Sequence, residues 1–474
     1  MPAPSPDIIR LLSTFSAALT APALAKMTDL FVGVVLAPGK RTVTAALRAL
    51  GKQEEKTFGK YHRLLSRDRW SALRLSGLLL LLLIETFVPA DQPVELVVDE
   101  TLERRHGKRI SYKGWFRDAV RSTQGTTVTS PGIRWLCVCL LVRVPWSRRR
   151  WALPFFTVPS CSQATCQKRK RPHCGSAGWT IDCMQKVREW IGVSRPVRLI
   201  GDGGFTNAEL LDYNRSLRIE QIGRLRLDAA LYDAPATGGP GKPGPKPLKG
   251  QRQVTLAKRL ADASTAWTPV EVAWYGDQRK GVEIVTGVSL WHVPGHPPIP
   301  LRWVLVRSAG DAREDTGNSG SRRGAAFFST DVNATAEQIL ASYAERWSIE
   351  VFFEEVRACL GFETQRGWSN RTIGRTTPCL FGVFSLVVVQ ARRLYPTGLP
   401  IRQAAWYVKE EATFRDVLCA VREHLWQHRL RDMGQHDGPI NPAENTRGSS
   451  KRDDLCAIPR SVLTALQEIA CYTA

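Results

Sequence analysis

The chain has 474 residues, too many for one compact core, so about two to four structural units are expected. A composition of 43% apolar and 23% charged residues is that of a folded soluble protein and excludes a disordered majority. Sixty-six Lys and Arg against 44 Asp and Glu leave +22 and a pI near 9.9. Such a surplus favours a polyanionic partner, nucleic acid above all, although a soluble enzyme can also simply be basic.

Met1 to Leu30 lacks a charged start followed by a continuous apolar core, so no secretory signal is expected. Residues 1–90 read as helical and as a candidate DNA-binding unit. Thr42 and Gly51 bound one helix, and Lys60, His62, Arg63, Arg67 and Arg69 give the next a basic surface. A solvated bundle would show the same pattern. The most apolar run, Leu78 to Ile84, is about half the ~20 residues of a membrane span and reads as a buried helix, so no membrane partner is expected. The eleven cysteines are scattered and suit free thiols in a reducing cytoplasm. The spacing of Cys161, Cys166, His173 and Cys174 matches no common zinc module.

From Val94 the pattern becomes strand-like. Val94–Asp99 is a short β-branched strand ending on an acid, and Ile133–Val144 and Trp151–Val158 follow. A helix over about Thr180–Ile191 precedes a strand at Val197–Ile200, which runs into Asp202. A helix near Asn207–Tyr213 and a strand near Ile219–Arg224 complete a β-β-β-α-β-α-β series. That order gives a mixed α/β sheet, and both strand-terminal aspartates fall where such sheets place their sites. Residues 234–250 form a basic Gly/Pro linker, strands are expected at Thr268–Trp274, Val282–Trp291 and Leu301–Arg307, and Gly310–Arg323 is polar and Gly-rich. Helices follow at Ala334–Leu360, Leu380–Tyr395 and Arg402–Gln427, then a loose stretch at 437–453. The expected units are a helical 1–90, an α/β core of 91–230 with 325–365, a β-rich insertion at 231–324, and a C-terminal helical region at 366–474. No internal repeat is present.

On one continuous helix, Tyr343, Arg346, Glu350 and Arg357 fall within roughly 60° of one another at about 100° per residue. One stripe thus carries a hydroxyl, two guanidinium groups and a carboxylate. Ion pairing on a solvated face explains such a stripe equally well, until the two upstream aspartates are added. Glu354 shares the face with Glu350, and only the register with Tyr343 and Arg346 selects Glu350. Glu345 and Glu355 point elsewhere and are expected in solvent. Glu100 remains open beside Asp99.

This ordered set resembles the DDE transposases of bacterial insertion sequences. The closest likeness is to the cut-and-paste branch with the Y-x2-R-x3-E-x6-K "YREK" signature, typified by insertion sequences 4 and 701. The resemblance implies an RNase H-like core with a β-rich insertion between the second Asp and the Glu. It implies a metal-binding catalytic triad of Asp99, Asp202 and Glu350, and DNA contacts by Tyr343, Arg346 and Arg357. Arg357 stands where the signature has Lys, which keeps the charge and changes the geometry. Trp303, in Pro300–Leu305, resembles the ring that stacks on a flipped base, and reads equally as a strand-core aromatic.

The implied cofactor is Mg²⁺, with Mn²⁺ tolerated, because hard cations suit carboxylate ligands. Water would release a 3′-OH at an element end, and that hydroxyl would then attack DNA, through a hairpin in this branch. The implied partners are double-stranded DNA, as element ends and target, and a second copy of the chain on that DNA. The implied location is the bacterial cytoplasm, at the nucleoid. The competing expectations are a catalytically inactive, transposase-derived DNA-binding protein and an RNase H-like nuclease without strand transfer.

Overall fold

A computed structural model describes residues 4–436 apart from 124, 169, 171, 236–246, 274–277, 309–323 and 407. Most of the expected Gly/Pro linker, the polar stretch before residue 324, the end of the expected strand at Trp274, and 437–453 therefore lie outside the described residues.

The first helices are α1 (Pro6–Ser13), α2 (Ala21–Leu36), α3 (Val43–Ala49), α4 (Gly59–Ser66) and α5 (Ala72–Phe87). Side-chain caps fix two of their starts: Thr42 accepts from the Ala45 amide, and Ser71 from the Arg74 amide. The apolar run expected to be buried lies in α5, where Leu79, Leu80, Leu82 and Leu83 are buried.

The sheet begins with β1 (Val94–Arg104), β2 (Gly114–Arg117), β3 (Thr129–Val144) and β4 (Ser147–Ser160). After α6 (Gln163–Lys168) and α7 (Ser176–Ile191) come β5 (Val197–Gly201), a 3₁₀ turn at Gly203–Phe205, α8 (Ala208–Ser216) and β6 (Ile219–Leu225). β1 pairs antiparallel with β3 and parallel with β5; β4 lies on β3, and β6 runs parallel to β5. The order β4-β3-β1-β5-β6, three antiparallel strands followed by two parallel ones, is the RNase H-like sheet. Its centre is fully apolar: Leu96, Val97, Val98 and Leu136 to Leu140 have no exposed surface.

The β-rich insertion extends this sheet. β7 (Leu231–Tyr232), α9 (Leu256–Ala261), β8 (Thr268–Ala273), β9 (Arg279–Trp291) and β10 (Ile299–Ser308) lead to β11 (Gly324–Ser329). β11 pairs with β6 and β10 with β11, so among the described residues eleven strands form one sheet. Among the described residues the apolar interior gathers into two clusters. The larger joins the N-terminal helices, the core strands and the C-terminal helices, and a smaller one lies under the insertion around Trp303 and Phe328.

Several features differ from the expectations, among them the strands β2, β7 and β11. Asp99 does not close β1: the strand continues to Arg104 because it keeps its pairing with β3, while its pairing with β5 stops at Val98. The expected helix over 334–360 is two, α10 (Ala336–Ala344) and α11 (Trp347–Leu360). The amides of Arg346, Ser348 and Ile349 bond three residues back, a tight turn that lets α10 follow β8 and β11 while α11 follows β4. α12 (Asn370–Leu394) starts ten residues before the expected helix and carries Pro378 inside it; Ser369 caps it. α13 (Phe414–His436) starts late, because Asp416 accepts from both the amide and the hydroxyl of Thr413 and fixes the first turn there.

Among the described residues one helix, Asn370–Leu394, is long and apolar enough to cross a membrane; 67% of its most apolar stretch is buried inside the protein.

Candidate active site

Asp99 and Asp202 meet through the sheet. Val98 is the partner of Gly201 at the last parallel pair of β1 and β5, so the next residues, Asp99 and Asp202, are neighbours at the point where the two strands part. Asp202 is then pinned by the 3₁₀ turn it caps, its Oδ1 accepting the Gly204 amide at 2.8 Å. Asp99 Oδ1 accepts the Glu100 amide at 2.7 Å, and its Oδ2 faces the turn between α10 and α11.

Glu350 reaches the pair through Arg346. Arg346 Nη1 donates to Asp99 Oδ2 at 2.9 Å, and Nη2 donates to Glu350 Oε1 at 2.6 Å. The four-residue spacing of Arg346 and Glu350 was the visible signal for the second bond; nothing in the sequence announced the first. The Arg346 guanidinium also lies 5.8 Å from the centre of the Tyr343 ring. Burial pushes the Asp99 carboxyl up to about 6, with Asp202 and Glu350 raising it further and the Glu100 amide and Arg346 opposing. The acids at the end of β5 and on α11 thus both act on Asp99 of β1. The donors, all carboxylate oxygens, suit a hard divalent cation. Among the described residues, however, no three His, Cys, Asp or Glu side chains are gathered closely enough to hold a metal ion. The guanidinium stands between Asp99 and Glu350.

The other expected contacts divide. Tyr343 sits on α10 beside Arg346, its ring 4.6 Å from that of Phe327, and burial raises its hydroxyl pKa. Arg357 is tied inward: its guanidinium donates to the Phe353 carbonyl, to Thr101 Oγ1 at 2.6 Å and to the Leu102 carbonyl, and pairs with Glu363. Those bonds strap α11 to β1. Trp303 is 3% exposed, with its indole N–H donated to Ser289 Oγ at 2.9 Å. A ring so enclosed is packed into the core under β10, one of the two readings open for it in the sequence.

Glu100 accepts the Ser176 hydroxyl at 2.8 Å and faces Arg134, and burial raises its pKa, Asp202 adding to the rise. Glu354 is exposed. Glu345 and Glu355, expected in solvent, are partly buried, the first near Arg150 and the second accepting from Cys359.

The DDE superfamily endonuclease family matches residues 14–281, more than half of the chain and the part that holds Asp99 and Asp202. The chain is a DDE superfamily endonuclease. A second family, described as "Archaeal putative transposase ISC1217", matches residues 318–399 of this endonuclease, the part that holds Glu350. No curated protein matches it. Among solved structures it is similar to the piggyBac transposase in a synaptic complex with hairpin DNA, at 10% identity and a TM-score of 0.40, over 97% of this chain and 91% of that one. That likeness is too low to bear on fold or function. DDE superfamily enzymes use divalent metal ions, and the acids of this endonuclease offer the oxygen donors such ions take.

Proposed function

We propose that this endonuclease is a DNA transposase that cleaves the ends of its element and joins the 3′-OH ends to target DNA, with Asp99, Asp202 and Glu350 as its catalytic acids. The observation that carries the reading is the placement of Asp99 and Asp202 at the parting of two parallel strands, with Glu350 linked to Asp99 by one guanidinium. Divalent cations held by the three carboxylates, Mg²⁺ by preference, supply activation of the attacking oxygen and neutralisation of charge on the leaving one.

The chain's own groups do the positioning. Asp202, locked by its turn, and Asp99, locked by the strand, give fixed oxygens, whereas Glu350 on α11 is a third of the way exposed at 34% and can adjust. Tyr343 and Arg346, side by side at the junction of α10 and α11, offer a hydroxyl and a fork of donors to a phosphate next to the scissile bond. Arg357 serves by strapping α11 to β1, which sets the height of Glu350 against Asp99. The DNA is double-stranded, the working form on DNA is a homodimer that holds two ends, and the setting is the bacterial cytoplasm.

The test is cleavage of element-end DNA with Mg²⁺ by the purified protein and its Asp99→Ala, Asp202→Ala and Glu350→Ala variants. Each variant should lose cleavage by at least about 10³-fold while binding DNA within a few-fold of the parent. Nicking that survives in Asp99→Ala would refute the assignment. Cleavage without joining in the parent would favour a nuclease, and binding without cleavage a DNA-binding protein.

A further inference from the structure

We infer that Arg346 is a displaceable placeholder: in the DNA-free protein its guanidinium fills the gap between Asp99 and Glu350, and a DNA phosphate draws it out, freeing the carboxylates for a cation. The inference rests on reading Asp99, Asp202 and Glu350 as the cation-holding set.

Three observations carry it. The fork makes one bond to each of two acids from distant parts of the chain, 2.9 Å to Asp99 and 2.6 Å to Glu350, and so occupies the space between them. Its side chain is 14% exposed, too enclosed for an idle surface pair. Among the described residues no trio of acidic, His or Cys side chains is close enough for a metal ion, although the acids suit one. A cation between Asp99 and Glu350 therefore requires the guanidinium to leave.

Arginine does not leave by losing its proton, so it has to move. Its position allows this. Arg346 lies at the turn between two helices that follow different surfaces, where three-residue backbone bonds replace the regular four-residue ladder. A phosphate offers the same planar pair of oxygens that the two carboxylates now supply separately. Exchange of partners links the two ligands: DNA strengthens cation binding, and by reciprocity the cation strengthens DNA binding by the same factor. A protein built this way carries no armed site until DNA is in place.

The experiment titrates Mn²⁺ into the full-length protein, reading bound metal by the loss of the free-ion electron paramagnetic resonance signal, with and without duplex DNA from the end of the protein's own element. Arg346→Gln without DNA should bind Mn²⁺ at least about tenfold tighter than the parent. DNA should tighten the parent by a similar factor and the variant far less.

Arg224→Gln is the charge control, since exposed Arg224 acts on Tyr343 through space and bonds neither acid. Tightening as large in Arg224→Gln as in Arg346→Gln would show a general charge effect and overturn the placeholder. Equal Mn²⁺ affinity in parent and Arg346→Gln would also overturn it while leaving the acids as cation ligands. No Mn²⁺ bound by any protein, with or without DNA, would sink the reading of the acids as well. If Arg346→Gln melts abnormally by circular dichroism, Arg346→Lys carries the test. Lysine lacks the fork and can hold only one carboxylate at a time, so an intermediate tightening is expected.

Discussion

Asp118, at 1% exposure, is held by both nitrogens of the Arg104 fork at 2.8 Å and by the Ser130 hydroxyl at 2.8 Å. The bond from Arg104 first, with help from Ser130, brings its carboxyl down to about 2, below the ordinary 3.8. A depressed carboxylate stabilises the fold above its unfolded pKa, and that stability is lost as pH falls through the folded one. Asp118→Asn should therefore be less stable near neutrality, by on the order of 1 kcal/mol after screening, and the difference should shrink between about pH 4 and pH 2. Denaturant melts across that range check it. Trp303→Ala should cost about 3–5 kcal/mol, the price of an emptied core site. Its burial was legible after all, since Leu301, Trp303 and Leu305 alternate along β10 on the face where both leucines are fully buried. Arg357 was not legible, because its partners Thr101 and Leu102 lie about 250 residues away and no spacing rule reaches them.

At the scale of elements, strands paired on both sides were the clearest to read, because a run such as Leu96-Val97-Val98 leaves no alternative to burial. Ends were harder. β1 passes Asp99 because one neighbour continues when the other stops, a fact held in β3 rather than in β1 itself. The turn at Glu345–Arg346 contains neither Gly nor Pro, so only the two surfaces under α10 and α11 reveal it. α12 begins before the apolar run that marked it and holds Pro378 in its interior. Packing between helices makes a sharp prediction. A methyl group on Gly33 of α2 would sit 2.5 Å from the Ala46 carbonyl oxygen of α3, whereas one on Gly374 of α12 would meet nothing within 4 Å. Gly33→Ala should lose about 1–3 kcal/mol and Gly374→Ala should gain up to about 1 kcal/mol, both by thermal or denaturant melting.

For the whole molecule, the surplus of +22 favours a polyanionic partner. Should six or more phosphates be neutralised, DNA affinity should drop roughly 10³-fold between 50 and 200 mM salt, and a flat log–log plot in a filter-binding series would contradict a backbone-driven contact. What the sequence did not disclose is how the strands after residue 231 pair with the core sheet. The spacing of strands after residue 231 marks a β-rich unit, but pairing partners are chosen across the fold, and β11 was hidden behind a polar stretch. Because β10 lies directly on β11, excising residues 231–323 would bare the far edge of Ala325-Ala326-Phe327-Phe328, an apolar ribbon with open amides and carbonyls. A shortened protein of that kind should self-associate rather than fold as a minimal enzyme. Evolution can therefore lengthen this arm at its outer rim far more easily than it can remove it.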